Sequence, residues 1–141
     1  MDRTEAVRRL VERVLDLSDS ETKRCGYIHL YGVAQLCGLL ALRRHEDTEL
    51  AMISGLLHDL YTYETSERED HAPVGADYAS GLLRTTGLFL DHEIETISHA
   101  IYCHSDKASV NSALDEILKD ADVLQHYLYD PPAYSDSRGE T

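Results

Sequence analysis

Basic side chains are scarce in this sequence, and their scarcity narrows the choice of partners. Lys and Arg total 13 against 26 Asp and Glu, so the chain of 141 residues has a formal net charge of −13 at pH 7. Proteins that bind nucleic-acid polymers neutralise phosphates with Lys and Arg. The composition therefore argues against an RNA or DNA polymer as partner. It still permits a small phosphorylated ligand, because a bound cation would reverse the sign of the local field.

Cysteines are also few, and Cys25, Cys37 and Cys103 are odd in number, which does not suit a disulfide framework. Two of them lie inside apolar helical patterns, so we expect reduced, packed thiols in a cytoplasmic protein. No apolar run reaches the roughly 18 residues of a membrane span, and charges alternate from the first residues onward. We therefore expect neither a signal peptide nor a membrane anchor.

Strand patterns are almost absent, and helical periodicity takes their place. In the first segment, apolar residues recur at the spacing of one buried helix face, from Val7 to Leu15. Similar patterns along the chain predict an all-α, compact bundle of about six helices. Their expected ranges are 2–15, 22–44, 47–61, 73–86, 91–103 and 112–130, with loops at 62–70 and 105–111.

The length predicts a single domain with one core, over residues 1–130. Residues 131–141 differ in composition and are expected to form a loose tail. The second helix is apolar nearly all round, which is typical of the central helix of a bundle. Gly32 and Gly38 within it predict that neighbouring helices approach closely there.

Several polar side chains stand at the borders of the predicted apolar faces. The run from Ile53 to Tyr63 is uncharged until it presents His58 and Asp59 side by side. Burying a carboxylate beside an imidazole is costly unless each has a partner, and a divalent cation would serve both. The same dipeptide also fits a helix end at which Asp59 faces water and His58 is a core histidine. The other border residues are His29, His104 and Asp122, and His71 stands at the start of the fourth helix.

The order of these residues resembles the HD-domain superfamily of metal-dependent phosphohydrolases. The resemblance covers the chain from about residue 25 to 130, and so nearly the whole predicted domain. The segments that carry it are HLYGVAQLCGLLA (29–41), GLLHDLY (55–61), HAPVGADYASGLL (71–83), AIYCHS (100–105) and LKDADVLQHYL (118–128).

By this resemblance, a divalent transition metal is held by His29, His58, Asp59 and Asp122. Imidazole and carboxylate ligands suit Fe, Mn, Zn, Ni or Co without singling one out. Asp122 could instead be a surface acid on an acidic helix, and Asp120 stays open as an alternative ligand.

His71 and His104 are the candidates for a second ion. Some relatives in the superfamily bind two metals through histidines in similar places. Those relatives often have a double histidine where this chain has Cys103 and His104. Without a second ion, the two histidines would line the pocket and contact a phosphate. His71 could also be a capping or surface residue.

The resemblance implies hydrolysis of a nucleotide or another small phosphorylated metabolite. In this interpretation Asp59 orients the attacking water. His104 and His71 act as general acids or donate hydrogen bonds to the substrate phosphate, since imidazole changes charge near neutral pH. Lys107, His126 and Tyr61 are candidates for substrate binding. Lys107 also fits an ordinary surface lysine, and Tyr61 also fits a residue that packs in the core.

Two departures from the family pattern limit the assignment. Relatives that hydrolyse alarmones carry an acidic pair shortly after the doublet, where this chain has Thr62 and Tyr63. We therefore do not predict that reaction. Gly32 also stands where many relatives have an arginine, which removes one phosphate contact.

Two other functions remain open at the level of sequence. One is a di-iron oxygenase of the same superfamily, and the other is a ligand-binding or regulatory module that keeps the metal without turnover. In each case we expect a monomer or homodimer that binds neither nucleic-acid polymers nor membranes.

Overall fold

A computed structural model of the protein describes residues 2–67 and 71–130. Within these ranges the chain is helical and forms no strand, so the prediction of an all-α bundle is confirmed. The elements are α1 (Arg3–Asp16), α2 (Ser20–Gly26), a π-helical turn (Tyr27–Tyr31), α3 (Gly32–Arg44), α4 (Thr48–Leu57), α5 (Leu60–Thr65), α6 (His71–Thr86), α7 (Asp91–Cys103) and α8 (Ala113–Tyr129).

The six predicted helices are all present, with α2, the π turn and α3 forming one continuous helix over residues 20–44. The predicted loop at 62–70 is partly wrong, because its first residues belong to α5. Helix α5 is anchored by the buried side chains of Leu60 and Thr62, and Ser66 ends it with a φ of 66°. Residues 68–70, the predicted tail at 131–141 and the proline pair at its start lie outside the described residues.

The helix starts follow from capping side chains. Asp2 and Asp47 cap α1 and α4, and both accept hydrogen bonds from backbone N–H groups of the first turn. Asp91 is the first residue of α7, and the cap residue of that helix is Leu90. The reason is Glu93, whose carboxylate accepts a hydrogen bond from the Leu90 N–H at 2.9 Å.

The long helix over residues 20–44 lies at the centre of the bundle, and glycines allow its neighbours to approach. A Cβ at Gly55 of α4 would lie 2.7 Å from the Cα of Ala34 in α3, so no side chain fits between these backbones. A Cβ at Gly38 would meet the Met52 side chain at 3.0 Å, and one at Gly32 would meet Gln125 of α8 at 2.9 Å. The close approach predicted at Gly32 and Gly38 is therefore present.

By length and composition alone, the helix Ser20–Arg44 could cross a membrane, with a mean hydropathy of 1.4 in its most apolar window. This corrects the expectation that no apolar segment is long enough. Core helices of soluble proteins pass the same test, and 44% of this window is buried inside the bundle. The packing of α4 and α8 against it accounts for its apolar character.

The buried face of α8 ends before the helix does. Leu114, Ile117 and Ala121 are buried, whereas Leu128 is 62% exposed. The residues from His126 to Asp130 are all exposed, so the buried stripe ends at Gln125.

Arg3 joins α1 to two other parts of the bundle. Its guanidinium donates to the Glu93 carboxylate at 2.8 and 3.0 Å, to the Leu88 carbonyl at 3.2 Å and to Glu49 of α4. It also lies over the Phe89 ring, 4.6 Å from the ring centroid. The hydrogen bonds from Arg3 and from the Leu90 N–H lower the pKa of Glu93 from 4.5 to about 2.

The substitution Gly55→Ala should destabilise the protein by about 1–3 kcal/mol, because the new methyl group would force α4 away from the α3 backbone. Gly81→Ala is the matched control, since a Cβ at Gly81 on α6 would meet nothing within 4 Å. That control should stabilise the protein by about 0.5–1 kcal/mol through helix propensity. Urea unfolding followed by circular dichroism measures both, and equal stability of the two variants would contradict the packing described here.

Replacing Arg3 with alanine should cost about 1 kcal/mol at neutral pH. A carboxyl whose folded pKa is depressed contributes stability above its unfolded pKa and loses it as the pH falls through the folded value. The difference in the free energy of unfolding between the wild type and Arg3→Ala should therefore be largest above pH 4.5 and should shrink towards pH 2. Arg8→Ala is the control, because Arg8 pairs only with the exposed Glu5 of its own helix among the described ion pairs. Urea midpoints measured from pH 2 to pH 7 test this dependence, and a pH-independent difference would refute it.

Candidate metal centre

The polar residues singled out by their position in the sequence come from five places in the fold. His29 is the middle residue of the π-helical turn, and His58 and Asp59 lie between α4 and α5. His71 begins α6, His104 follows α7, and Asp122 belongs to α8. π-Helical turns inside α-helices are frequent at functional sites.

Four of these side chains converge on one point. The Nε2 atom of His29 lies 3.0 Å from Nε2 of His58, 3.0 Å from Oδ2 of Asp59 and 3.5 Å from Oδ1 of Asp122. The Nε2 atom of His58 lies 3.3 Å from Oδ2 of Asp59 and 3.5 Å from Oδ1 of Asp122. One donor atom from each residue fits within 4.8 Å of all the others, a spacing suited to a shared metal ion.

Asp59 also faces a second group of donor atoms. Its Oδ1 lies 3.2 Å from Nε2 of His104 and 3.9 Å from Nε2 of His71. The three residues place donor atoms within 4.8 Å of one another. The two oxygens of one carboxylate therefore point into two neighbouring clusters, the first with His29 and His58, the second with His71 and His104.

Three of the histidines are oriented through their other ring nitrogen. Nδ1 of His58 donates to the Gly55 carbonyl at 2.7 Å, and Nδ1 of His104 donates to the Ile101 carbonyl at 2.6 Å. Nδ1 of His29 donates to Oε1 of Gln125 at 2.8 Å. A carbonyl oxygen only accepts, so each Nδ1 carries the hydrogen in the neutral ring and each Nε2 offers its lone pair. Metal-ligating histidines are held in this way.

The carboxylates supply the test of whether a cation fits. Within residues 2–67 and 71–130, Oδ1 of Asp59 and Oδ1 of Asp122 are buried and accept no hydrogen bond. Buried carboxylate oxygens without a partner are strongly unfavourable. Oδ1 of Asp122 faces His29 and His58, and Oδ1 of Asp59 faces His71 and His104. A cation in each cluster would therefore satisfy the carboxylate oxygen and the imidazoles that it faces.

The pKa values reflect the same crowding of charge. Burial favours neutral His58, but the carboxylates of Asp59 and Asp122 outweigh it and raise the pKa of His58 to about 10. Burial alone would raise the pKa of Asp122, yet the nearby charged imidazole of His58 holds it well below its usual range. The pKa of Asp59 is likewise lowered by His58, His104 and His29. A bound metal would replace the proton on His58, so binding would release protons.

The three predicted substrate-binding residues lie at different distances from the cluster. Nζ of Lys107 donates to Oδ2 of Asp122 at 3.0 Å and to the backbone carbonyl of His104. His126 is exposed, with its Nε2 atom 3.7 Å from Oδ1 of Asp122 and its ring 4.9 Å from that of His29. The described ring contact of Tyr61 is with Tyr78 at 5.7 Å, rather than with the cluster.

Asp120, left open as an alternative ligand, points elsewhere. Its carboxylate pairs with Arg44 of α3 at 2.7 Å, outside both clusters.

His99 is exposed but has a buried partner. Its Nδ1 lies 2.9 Å from Oδ2 of Asp115, and Cys103 lies beside its ring. The same Asp115 oxygen accepts hydrogen bonds from the N–H and hydroxyl of Ser112, which caps α8. We interpret this group as a structural link between α7 and α8.

Gln125 and Asp115 are the polar residues of these clusters that the sequence interpretation missed. Asp115 is a capping residue three positions after Ser112, a spacing that the sequence does show. Gln125 lies three residues after Asp122, on the same face of α8. That spacing could have placed Gln125 near the predicted metal site. A glutamine one turn after a predicted metal ligand has no distinctive sequence pattern, however.

Known proteins share this arrangement of helices. A family model described as HD domain matches residues 26–126. The crystal structure of a predicted HD superfamily hydrolase from an uncultured Thermotogales bacterium superposes with a TM-score of 0.68. It is 29% identical and the match covers 89% of this chain and 75% of that one.

Curated relatives include proteins named Ribonuclease Y. Those of Pelobacter propionicus and Geobacter sulfurreducens are each 36% identical over 99 residues. The match covers 70% of this chain but spans only 17% of the length of those relatives. The family match over residues 26–126 and the shared fold lead to one conclusion: the chain belongs to the HD domain family, within the HD superfamily of metal-dependent phosphohydrolases.

Proposed function

We propose that this protein is a metal-dependent phosphohydrolase that acts on a nucleotide or another small phosphorylated metabolite. One observation carries the proposal: two imidazoles and two carboxylates converge within 4.8 Å while one buried oxygen of each carboxylate accepts no hydrogen bond in the described part of the chain. In this proposal the metal ligands are His29, His58, Asp59 and Asp122. A divalent transition metal bound there would supply Lewis-acid polarisation of a phosphoryl oxygen and a lowered pKa for bound water.

The residues around the four ligands suit the remaining steps. We assign Asp59 to orienting the attacking water, and the direction of its Oδ1, away from His29 and His58 towards the second cluster, supports this role. His104 is buried and His71 is half-exposed, so His71 lies nearer the solvent from which a substrate would enter. We assign His71 and His104 to proton donation or phosphate binding at that side.

A second ion between His71, His104 and Asp59 is part of the same proposal. His71, His104 and Asp59 would hold that ion, which is compatible with the way the two oxygens of Asp59 divide between the clusters. Two-metal sites of this kind stabilise both the attacking and the leaving oxygen in phosphoryl transfer.

A small anionic substrate fits this chain better than a polymer. The net charge of −13 would repel a long phosphate backbone. Lys107 already has two partners, and the exposed His126 stands at the edge of the cluster. We propose His126 as the first contact for a substrate phosphate, with Lys107 holding Asp122 and Tyr61 packed against Tyr78. The name of the Ribonuclease Y relatives makes RNA a substrate that any test should include.

His58→Ala and Asp59→Ala should each weaken metal binding at least ~10-fold, because each removes one of four converging ligands. His92→Ala is the matched control, since His92 is an exposed histidine of α7 outside both clusters. Metal content by mass spectrometry after purification, and titration of the chelator-treated protein with Mn²⁺, Zn²⁺ or Fe²⁺, provide the measurements. If both variants retain the metal content of the wild type, the ligand assignment is wrong.

The metal-loaded protein should release phosphate from at least one nucleotide or sugar phosphate, and His58→Ala should abolish the release. A panel of nucleotides, sugar phosphates and a single-stranded RNA oligonucleotide tests the substrate class, with His92→Ala as the active control. Cleavage of the oligonucleotide alone would replace the proposed substrate class with RNA. Oxygen consumption with an iron-oxo absorption band would indicate the oxygenase, and nucleotide binding without phosphate release would indicate the regulatory module.

A further inference from the structure

We propose that Gln125 is a positioning residue that fixes the tautomer and orientation of His29. The inference rests on the proposed metal site, whose ligand His29 it concerns. It assigns a role to a side chain that neither ligates the metal nor contacts the substrate in the proposed function.

The contact is short and shielded from water. Nδ1 of His29 lies 2.8 Å from Oε1 of Gln125, and the two residues are each only 7% exposed. Because the amide oxygen only accepts, it holds the imidazole hydrogen on Nδ1. The lone pair of Nε2 is then directed towards His58, Asp59 and Asp122.

His29 needs such a partner more than the other two histidines do. His58 and His104 each donate to a backbone carbonyl three residues earlier, so their own chain segments orient them. His29 lies in the π-helical turn, and its recorded Nδ1 partner is a side chain of another helix. That helix, α8, also carries Asp122, so one rigid element positions two of the four proposed ligands.

The nearby carboxylates would otherwise favour the wrong tautomer. Oδ2 of Asp59 lies 3.0 Å from Nε2 of His29, close enough to accept a hydrogen from it. Without an acceptor at Nδ1, this contact would draw the ring hydrogen to Nε2, where it blocks ligation. The amide of Gln125 opposes this by offering an acceptor on the other side of the ring.

Gly32 supports the same contact, because the absence of a side chain at position 32 leaves space for the side chain of Gln125. A Cβ at Gly32 would lie 2.9 Å from Cγ of Gln125 and 3.6 Å from its amide nitrogen. The side-chain stem of Gln125 therefore occupies the space next to the helix one turn after His29. A larger residue at position 32 would displace the amide from His29.

Gln125→Met and Gln125→Glu test the proposal, because methionine keeps the length without an acceptor and glutamate restores one. Gln35→Met is the control, since Gln35 is an exposed glutamine of α3. Zn²⁺ and Mn²⁺ affinities are measured by competition with a chelator. Gln125→Met should bind each ion about 10–100-fold more weakly. Gln35→Met should bind like the wild type. Gln125→Glu should bind at least as tightly, because its carboxylate also accepts from Nδ1 and adds negative charge beside the site.

Nitrogen NMR of the imidazoles in the metal-free protein gives a readout that does not depend on metal or activity. His29 should carry its hydrogen on Nδ1 in the wild type and on Nε2 in a substantial fraction of Gln125→Met. If Gln125→Met fails to fold, Gly32→Ala offers a second route. It keeps the amide but displaces its stem, so it should weaken metal binding and shift the tautomer in the same direction.

An unchanged tautomer and unchanged affinity in Gln125→Met would overturn the inference. Equal losses in Gln125→Met and Gln125→Glu would also overturn it, because they would indicate packing rather than hydrogen bonding. A protein that shows the tautomer shift but releases no phosphate from any substrate would refute the proposed function and leave the role of Gln125 intact. Phosphate release by the wild type together with an unaltered tautomer in Gln125→Met would support the proposed function and refute the role of Gln125.

Discussion

The structure depends on placing two carboxylates among imidazoles in a site that is largely shielded from water. Asp59 and Asp122 are each mostly covered, and each keeps a buried oxygen that accepts no hydrogen bond within the described residues. Such a site is unfavourable unless positive charge enters it. In the protein alone, that charge comes from His58, whose pKa is raised to about 10, and from Lys107 at the rim. In the proposed enzyme a divalent ion takes over this role.

The bundle is arranged so that these groups can meet. Helices α3 and α4 approach until their backbones touch at Ala34 and Gly55, one turn before His58. The Gly55 carbonyl then accepts the hydrogen of His58 Nδ1, so the residue that allows the helix contact also orients the ligand. Packing and chemistry are therefore coupled at a single glycine, and a change in helix spacing would move the imidazole.

Helix α8 completes the arrangement from the opposite side. Asp122 contributes a carboxylate, and Gln125 reaches His29 one turn later along the same face. The exposed end of α8 brings His126 to the edge of the cluster, where we propose that a substrate phosphate binds. One helix thus carries the proposed ligand Asp122, the amide that contacts His29, and the proposed substrate contact His126.

Much of this could be predicted from the sequence, because the signals are local. Apolar periodicity predicts the helices, and side chains such as Asp47 mark their starts. The spacing of His29, the doublet at 58–59 and Asp122 predicts a shared cluster through the family resemblance. The errors have local causes as well. The polar composition after Tyr61 suggested a loop, although two buried side chains are enough to hold the short helix α5.

What the sequence determined by itself is the helical class, the order of the helices and the residue types available to bind a metal, since these follow from periodicity and chemical identity. Only the tertiary structure decided which atoms face one another: that Asp59 divides its two oxygens between two clusters, that Lys107 holds Asp122, and that Gln125 supports His29. These relations join residues up to 96 positions apart. They depend on helix spacing and rotation, which arise from packing across the whole core and leave no periodic trace in any one segment.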